Sequence, residues 1–184
     1  MTRTPLTDLI TRIRAVVARD LDAGRTAKEV ARYLKPMLLV PGLVPEDKRT
    51  GSPDGYTQHV LHVEPDGAFS VVALVWLPGQ ATPVHDHVSW CTVGVYEGQE
   101  TETLYRLAGR KGHRQLVVSG TAVSGRGSVT AIAPPGDIHH VSNTGSTTAI
   151  SLHVYGADIH LLGSSIRRNY DDLGAVAARS PRSP

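Results

Sequence analysis

The chain has 184 residues, 19 Lys and Arg against 17 Asp and Glu, a formal net charge of +2, 40% hydrophobic residues and a single cysteine, Cys91. That length can bury the core of one domain, and one cysteine excludes an internal disulfide framework. Scattered basic residues without a basic, aromatic-laced stripe exclude a nucleic-acid footprint; charges threaded through the first twenty residues exclude a signal core; and no apolar window reaches the roughly twenty residues of a membrane helix. The expectation is a cytoplasmic protein with no membrane, nucleic-acid or obligate protein partner. In chain order, Leu6, Leu9, Ile10, Ile13, Val16, Val17 and Leu21 recur at three- and four-residue spacing behind Thr4 and Pro5, which predicts a first helix capped by Thr4. A second helix is predicted from Thr26, whose pairing with Glu29 has capping-box spacing, with Val30, Tyr33 and Leu34 inward and a stop before Pro36.

From about Tyr56 the hydrophobic period becomes two, in short runs such as FSVVALVWL, SVTAI and TAISLHVY separated by PDG, PGQ, AGRKG, PPGD and NTGS turns. Many short strands at near-regular spacing predict an all-β barrel or sandwich. The last stretch, GAVAARSPRSP, has little to bury and is expected to be partly disordered.

Among nine histidines, His85 and His87 stand two apart. On a strand both project from one face and converge on one ion, while Asp86 points the other way. The spacing runs further: Gly79, five residues, His85, one, His87, three, Cys91, six, Gly98; then Pro134, one, Gly136, two, His139, three, Asn143. These two blocks resemble the paired motifs of the cupin barrel, with Cys91 where cupins usually place a glutamate. The second block selects His139 over the adjacent His140, which alternation sends to the opposite face. His59, His62, His113 and His160 lack such spacing and read as ordinary surface or core histidines.

Three neutral imidazoles without a carboxylate would leave a divalent ion its full charge, which favours an anionic ligand such as a thiolate. A zinc site of the same three-histidine kind is the alternative at this point. In the late strand AISLHVY, Ser151, His153 and Tyr155 alternate with Ile150, Leu152 and Val154. Either the polar row faces the barrel interior, or it faces solvent while the apolar row fills the core; period alone does not choose.

Taken together, HDHVSWC, IHHVSN and SLHVY resemble the cysteine dioxygenase family of cupin thiol dioxygenases, over roughly Tyr56 to Tyr155. The resemblance implies a cupin double-stranded β-helix, a jelly roll, preceded by two helices: residues 1–40 as helices packing on the barrel, 41–165 as the barrel and 166–184 as a tail. It implies one Fe(II) per chain on His85, His87 and His139, and Ser151, His153 and Tyr155 as a hydrogen-bonded row beside it. It also allows a thioether between Cys91 and Tyr155, a free buried thiol being the other reading. The reaction implied adds dioxygen to the sulfur of a small thiol, cysteine or 3-mercaptopropionate, near Tyr56 and Gln58. Gln58 stands where the cysteine-specific branch has an arginine, so Arg167 or Arg168 is the candidate partner for a substrate carboxylate. The competing functions are a zinc or manganese lyase or isomerase, and a non-enzymatic cupin that binds a small ligand.

Overall fold

The computed structural model describes residues 4–110 and 113–176. Helix α1 spans Pro5–Val17, with Thr4 Oγ1 accepting the Thr7 amide N–H at 3.2 Å. Helix α2 spans Ala23–Met37 and differs from expectation at both ends. Its cap is Asp22, whose Oδ1 accepts the Arg25 amide at 2.9 Å; the Thr26 hydroxyl instead donates back to the Leu21 and Asp22 carbonyls, and Glu29 pairs with Arg19 and Arg32. A charged carboxylate answers the positive end of the helix better than a hydroxyl does. At the other end the helix runs through Pro36. A proline in the last turn forfeits one hydrogen bond, whereas stopping earlier would unseat Leu38, whose amide closes on the Leu34 carbonyl at 3.2 Å and whose side chain is fully buried.

Eleven strands are described: β1 (Thr57–Val63), β2 (Ser70–Trp76), β3 (His85–His87), β4 (Cys91–Glu97), β5 (Gln99–Ala108), β6 (Gln115–Gly125), β7 (Val129–Ile132), β8 (His139–Ser142), β9 (Ala149–Tyr155), β10 (Ile166–Asn169) and β11 (Ala175–Val176), with a single-turn helix α3 (Ile159–Leu162) after β9. They form two sheets, β1-β2-β9-β4-β7 and β10-β3-β8-β5-β6-β11. Every pairing is antiparallel except β11 on β6. Facing each other, they make the double-stranded β-helix barrel of a cupin. Gly98 joins β4 to β5 with φ of 69°, and a Cβ there would lie 2.7 Å from the Thr148 carbonyl oxygen, so the motif glycine has a steric reason.

The core has two main compartments, beside a smaller cluster of Leu116, Ile138 and Tyr170. On one face of the first sheet, Val71, Ala73, Val75, Ile150, Leu152 and Val154 pack against α1 and α2 through Leu9, Ile13, Val30 and Leu34. The other face turns Leu74, Trp76, Cys91 and Tyr155 into the barrel. β9 is therefore buried along its whole length. Its polar row faces inward, and its apolar row is covered by the helices rather than by the barrel core or by solvent.

Residues 166–169, assigned to a tail on sequence grounds, are a strand of the barrel wall: Ile166 pairs with His87 and Asn169 with His85. Composition concealed this because the strand IRRN is held by charge, described below, rather than by apolar burial. Ala175 and Val176, also assigned to that tail, are strand β11, paired in parallel with Leu116 and Val117 of β6; residues 177–184 lie outside the described residues.

Candidate metal centre

β3 and β8 are neighbours in register, His85 opposite His139, and His87 shares the inward face of β3 with His85. All three side chains are buried, and their candidate ligand atoms lie within 4.8 Å of one another. Each Nδ1 is engaged on the far side of its ring: His85 with the Pro83 carbonyl at 2.9 Å, His87 with Asp137 Oδ2 at 3.0 Å and His139 with Glu102 Oε1 at 2.6 Å. All three partners are acceptors, so Nδ1 carries the proton and Nε2 presents a lone pair. Burial, reinforced by the neighbouring His139, holds His85 down to about 3, and burial also lowers His87 against the pull of Asp137. The Nε2 atoms of His85 and His139 are 3.2 Å apart. Two neutral imidazoles facing lone pair to lone pair repel unless a cation lies between them, so this donor set fits a divalent metal, and its three nitrogens suit iron, zinc, copper or nickel.

The predicted polar row lies opposite, on β9 of the other sheet. Ser151 Oγ is 2.9 Å from His153 Nε2, and the Tyr155 hydroxyl is 3.0 Å from His153 Nδ1. Burial, together with the three nearby histidines, brings His153 down to about 3, so it is neutral. Burial likewise pushes the Tyr155 phenol and the Cys91 thiol well above their ordinary values. Cys91 on β4 is the direct cross-strand partner of Tyr155, which puts their side chains on the same face as close neighbours.

The three histidines, His153 and Tyr155 line one cavity of about 400 Å³, counted to its open mouth. Tyr56 lies in its wall, stacked on Trp76 with ring centroids 4.6 Å apart, and Gln58 lines it from an exposed position on β1. The structure does not bring Arg168 there. Its guanidinium, with that of Arg167, binds Asp86 on the outward side of β3, and the Tyr170 hydroxyl donates to the same carboxylate at 2.8 Å. Burial alone would raise Asp86, but these three donors hold it well below the usual carboxylate range. Among the described residues, no arginine or lysine lines the cavity. His140 is half-buried on the other side of β8, as alternation requires.

Sequence reasoning put Asp86 on the outer face of β3 but not its partners, and it missed three acids: Asp137 and Glu102 behind the histidines, and Glu100, nearly fully buried on β5. The alternation of Glu100, Glu102 and Leu104 along ETETLY could have put the two glutamates on one face. Nothing local could have paired Asp137 with His87, fifty positions away in the chain.

Residues 49–162 match the family described as Cysteine dioxygenase type I. Among curated proteins, the chain is 31% identical over 102 residues to "Cysteine dioxygenase type 1" of Danio rerio, covering 54% of this chain and 50% of that protein. It is 28% identical over 102 residues to the protein of the same name from Homo sapiens, with the same coverage. The chain thus spans about half the length of the curated relatives it matches. Among solved structures it is similar to a conserved protein with a double-stranded beta-helix domain from Klebsiella pneumoniae, at 18% identity and TM-score 0.49 over 61% of this chain and 81% of that one. With more than half of its length matched, the chain belongs to the cysteine dioxygenase type I family.

Proposed function

We propose that this chain is a non-haem iron(II) thiol dioxygenase, adding both atoms of dioxygen to the sulfur of a small mercapto-carboxylate, L-cysteine or 3-mercaptopropionate. One juxtaposition carries the reading. The three converging Nε2 atoms and the Tyr155 hydroxyl, at the end of its Ser151 and His153 chain, line the same small cavity from opposite sheets. Held by His85, His87 and His139, iron(II) would supply coordination for a thiolate and the electron transfer that makes dioxygen reactive.

The protein's own part follows from its residues. Three neutral histidines give the ion no anionic donor of its own, so the site favours a thiolate over a thiol. Tyr155, kept a phenol by burial, can donate a hydrogen bond to oxygen placed beside it, and His153 orients it. Tyr56 and Gln58 offer neutral hydrogen bonds to a substrate carboxylate in place of an ion pair. The reaction RSH + O₂ → RSO₂⁻ + H⁺ releases one proton, which must leave a buried site. Cys91 and Tyr155, cross-strand partners, would form a thioether by giving up the thiol hydrogen and one ring hydrogen to dioxygen, which leaves as hydrogen peroxide. A mass lower by two hydrogens after turnover would register it.

The test is oxygen uptake by iron-loaded protein with each thiol, coupled to sulfinate detection. Uptake matched one to one by sulfinate, with at least one of the two thiols, is the expected result. No sulfinate from either sinks the reading, and zinc or manganese as the metal that restores activity would point to the lyase or isomerase class instead.

A further inference from the structure

Glu100 has no part in the scheme above, yet it is one of the most buried acids in the protein, 4% exposed. Its carboxyl lies against Ser151 and the Trp76 indole, and its Oε1 has no hydrogen-bond partner in the protein. The Trp76 indole N–H also donates to Ser151 Oγ at 3.1 Å. The polar row thus continues beyond Ser151, from Tyr155 through His153 and Ser151 to Glu100. We propose that Glu100 is the fourth member of this chain, and that gaining or losing its proton reverses every hydrogen bond along it, turning the Tyr155 hydroxyl into or away from the site.

The argument is an inventory of donors. A serine hydroxyl donates once and accepts twice, and a neutral histidine donates from one nitrogen and accepts at the other. When Glu100 is ionised it can only accept, so Ser151 donates to it and accepts from Trp76 and from His153 Nε2–H. His153 then has a bare Nδ1, and Tyr155 must donate to it. When Glu100 is protonated it donates to Ser151, Ser151 donates to His153 Nε2, and His153 Nδ1–H donates to the Tyr155 oxygen. The phenol O–H is then released to donate into the cavity. The two states differ by one proton: each hydrogen moves one place toward Glu100, which ends protonated, and the Tyr155 oxygen takes up the replacement proton from the cavity.

The surroundings poise Glu100 between the two states. Burial raises it to about 7, with Ser151 and Trp76 hydrogen bonds opposing and the Glu102 charge adding. The titratable groups around it are Glu102 on β5, His139 on β8, and His153 and Tyr155 on β9; β4 and β7 present Val93, Val95, Thr130 and Ile132 to the cavity beside it. That cavity also holds Ser124 and Ser128.

The bearing of this device on turnover rests on the dioxygenase reading, but the tautomer of His153 does not, and it is measured without turnover. With ¹⁵N-labelled histidine and diamagnetic zinc in the full chain, His153 is expected to pass from Nδ1–H below the Glu100 midpoint to Nε2–H above it. The ¹⁵N shifts of its two nitrogens should exchange in step with the Glu100 carboxyl ¹³C titration. In Glu100→Leu the tautomer should cease to depend on pH; in Ser151→Ala, Glu100 should still titrate while His153 no longer follows. A wild-type His153 that keeps one tautomer throughout the Glu100 titration overturns the proposal, as does a switch that survives in Glu100→Leu.

Discussion

His87 and His139 each set Nδ1–H against a carboxylate, whereas His85 sets its own against the carbonyl of Pro83. A carboxylate fixes the ring and makes its Nε2 more basic, so Asp137→Asn and Glu102→Gln should each weaken metal affinity about 10–100-fold while leaving the fold intact. Competition with a chelator measures this. Removing a donor outright is harsher: His139→Ala should come through purification with almost no metal, and His140→Ala with the wild-type amount. At this scale the three-histidine cluster was legible, because the motif spacing that separates His139 from His140 is local in the chain. Their outer partners were not. Glu102 lies thirty-seven positions from His139, and only the closed barrel brings them together. Arg168 shows the same gap in reverse. A lone arginine looked free to meet a substrate until the fold gave it Asp86.

The elements differ in what holds them. β3 is three residues long and meets β8 through a single residue pair, so its position depends on β10, which is fastened by Asp86. The Asp86 side chain is 1% exposed and its arginine partners 37% and 53%. Breaking a buried pair typically costs about 3–5 kcal/mol; with half-exposed partners, Asp86→Asn should cost about 2–3 kcal/mol in urea unfolding and loosen the metal with it. α1 is tied more weakly. Arg14 forks onto Glu64 with bonds of 2.6 and 3.0 Å, and His62 joins from the side. The Arg14 hydrogen bond, outweighing the raising effect of burial, lowers the Glu64 carboxyl below its ordinary 4.5. With the folded value below the unfolded one, this tie contributes stability above pH 4.5 that is lost as pH falls through the depressed folded value. Acid titrations of stability should therefore be shallower in Arg14→Met than in wild type. Strand periodicity was readable in the sequence, and so was α1 with its Thr4 cap. The end of α2 was not, because Pro36 obeys a local rule that the burial of Leu38 overrides, and neither was β10, whose anchor is a charge on a distant strand.

For the molecule as a whole, the two larger apolar compartments lie on either side of the first sheet, while the three clustered histidines belong to the second. The helices stiffen the sheet that carries Ser151, His153 and Tyr155. A cation shared by His85, His87 and His139 would join β3 and β8 where their own pairing is thinnest, so metal binding should be felt as global stability. A ligand held only by the folded state stabilises by about 2.7 kcal/mol when free ligand is 100 times its Kd. For a protein of this size each kcal/mol moves Tm by about 2–4 °C, so anaerobic iron(II) at that excess should raise Tm by roughly 5–11 °C over chelator-treated protein. His139→Ala should unfold near the chelated wild type and gain almost nothing from iron. Glu100→Leu, which leaves all three ligands in place, should keep the full gain. Calorimetry on the three proteins with and without metal decides it. A gain that persisted in His139→Ala would mean that iron stabilises this barrel from somewhere other than the histidine cluster.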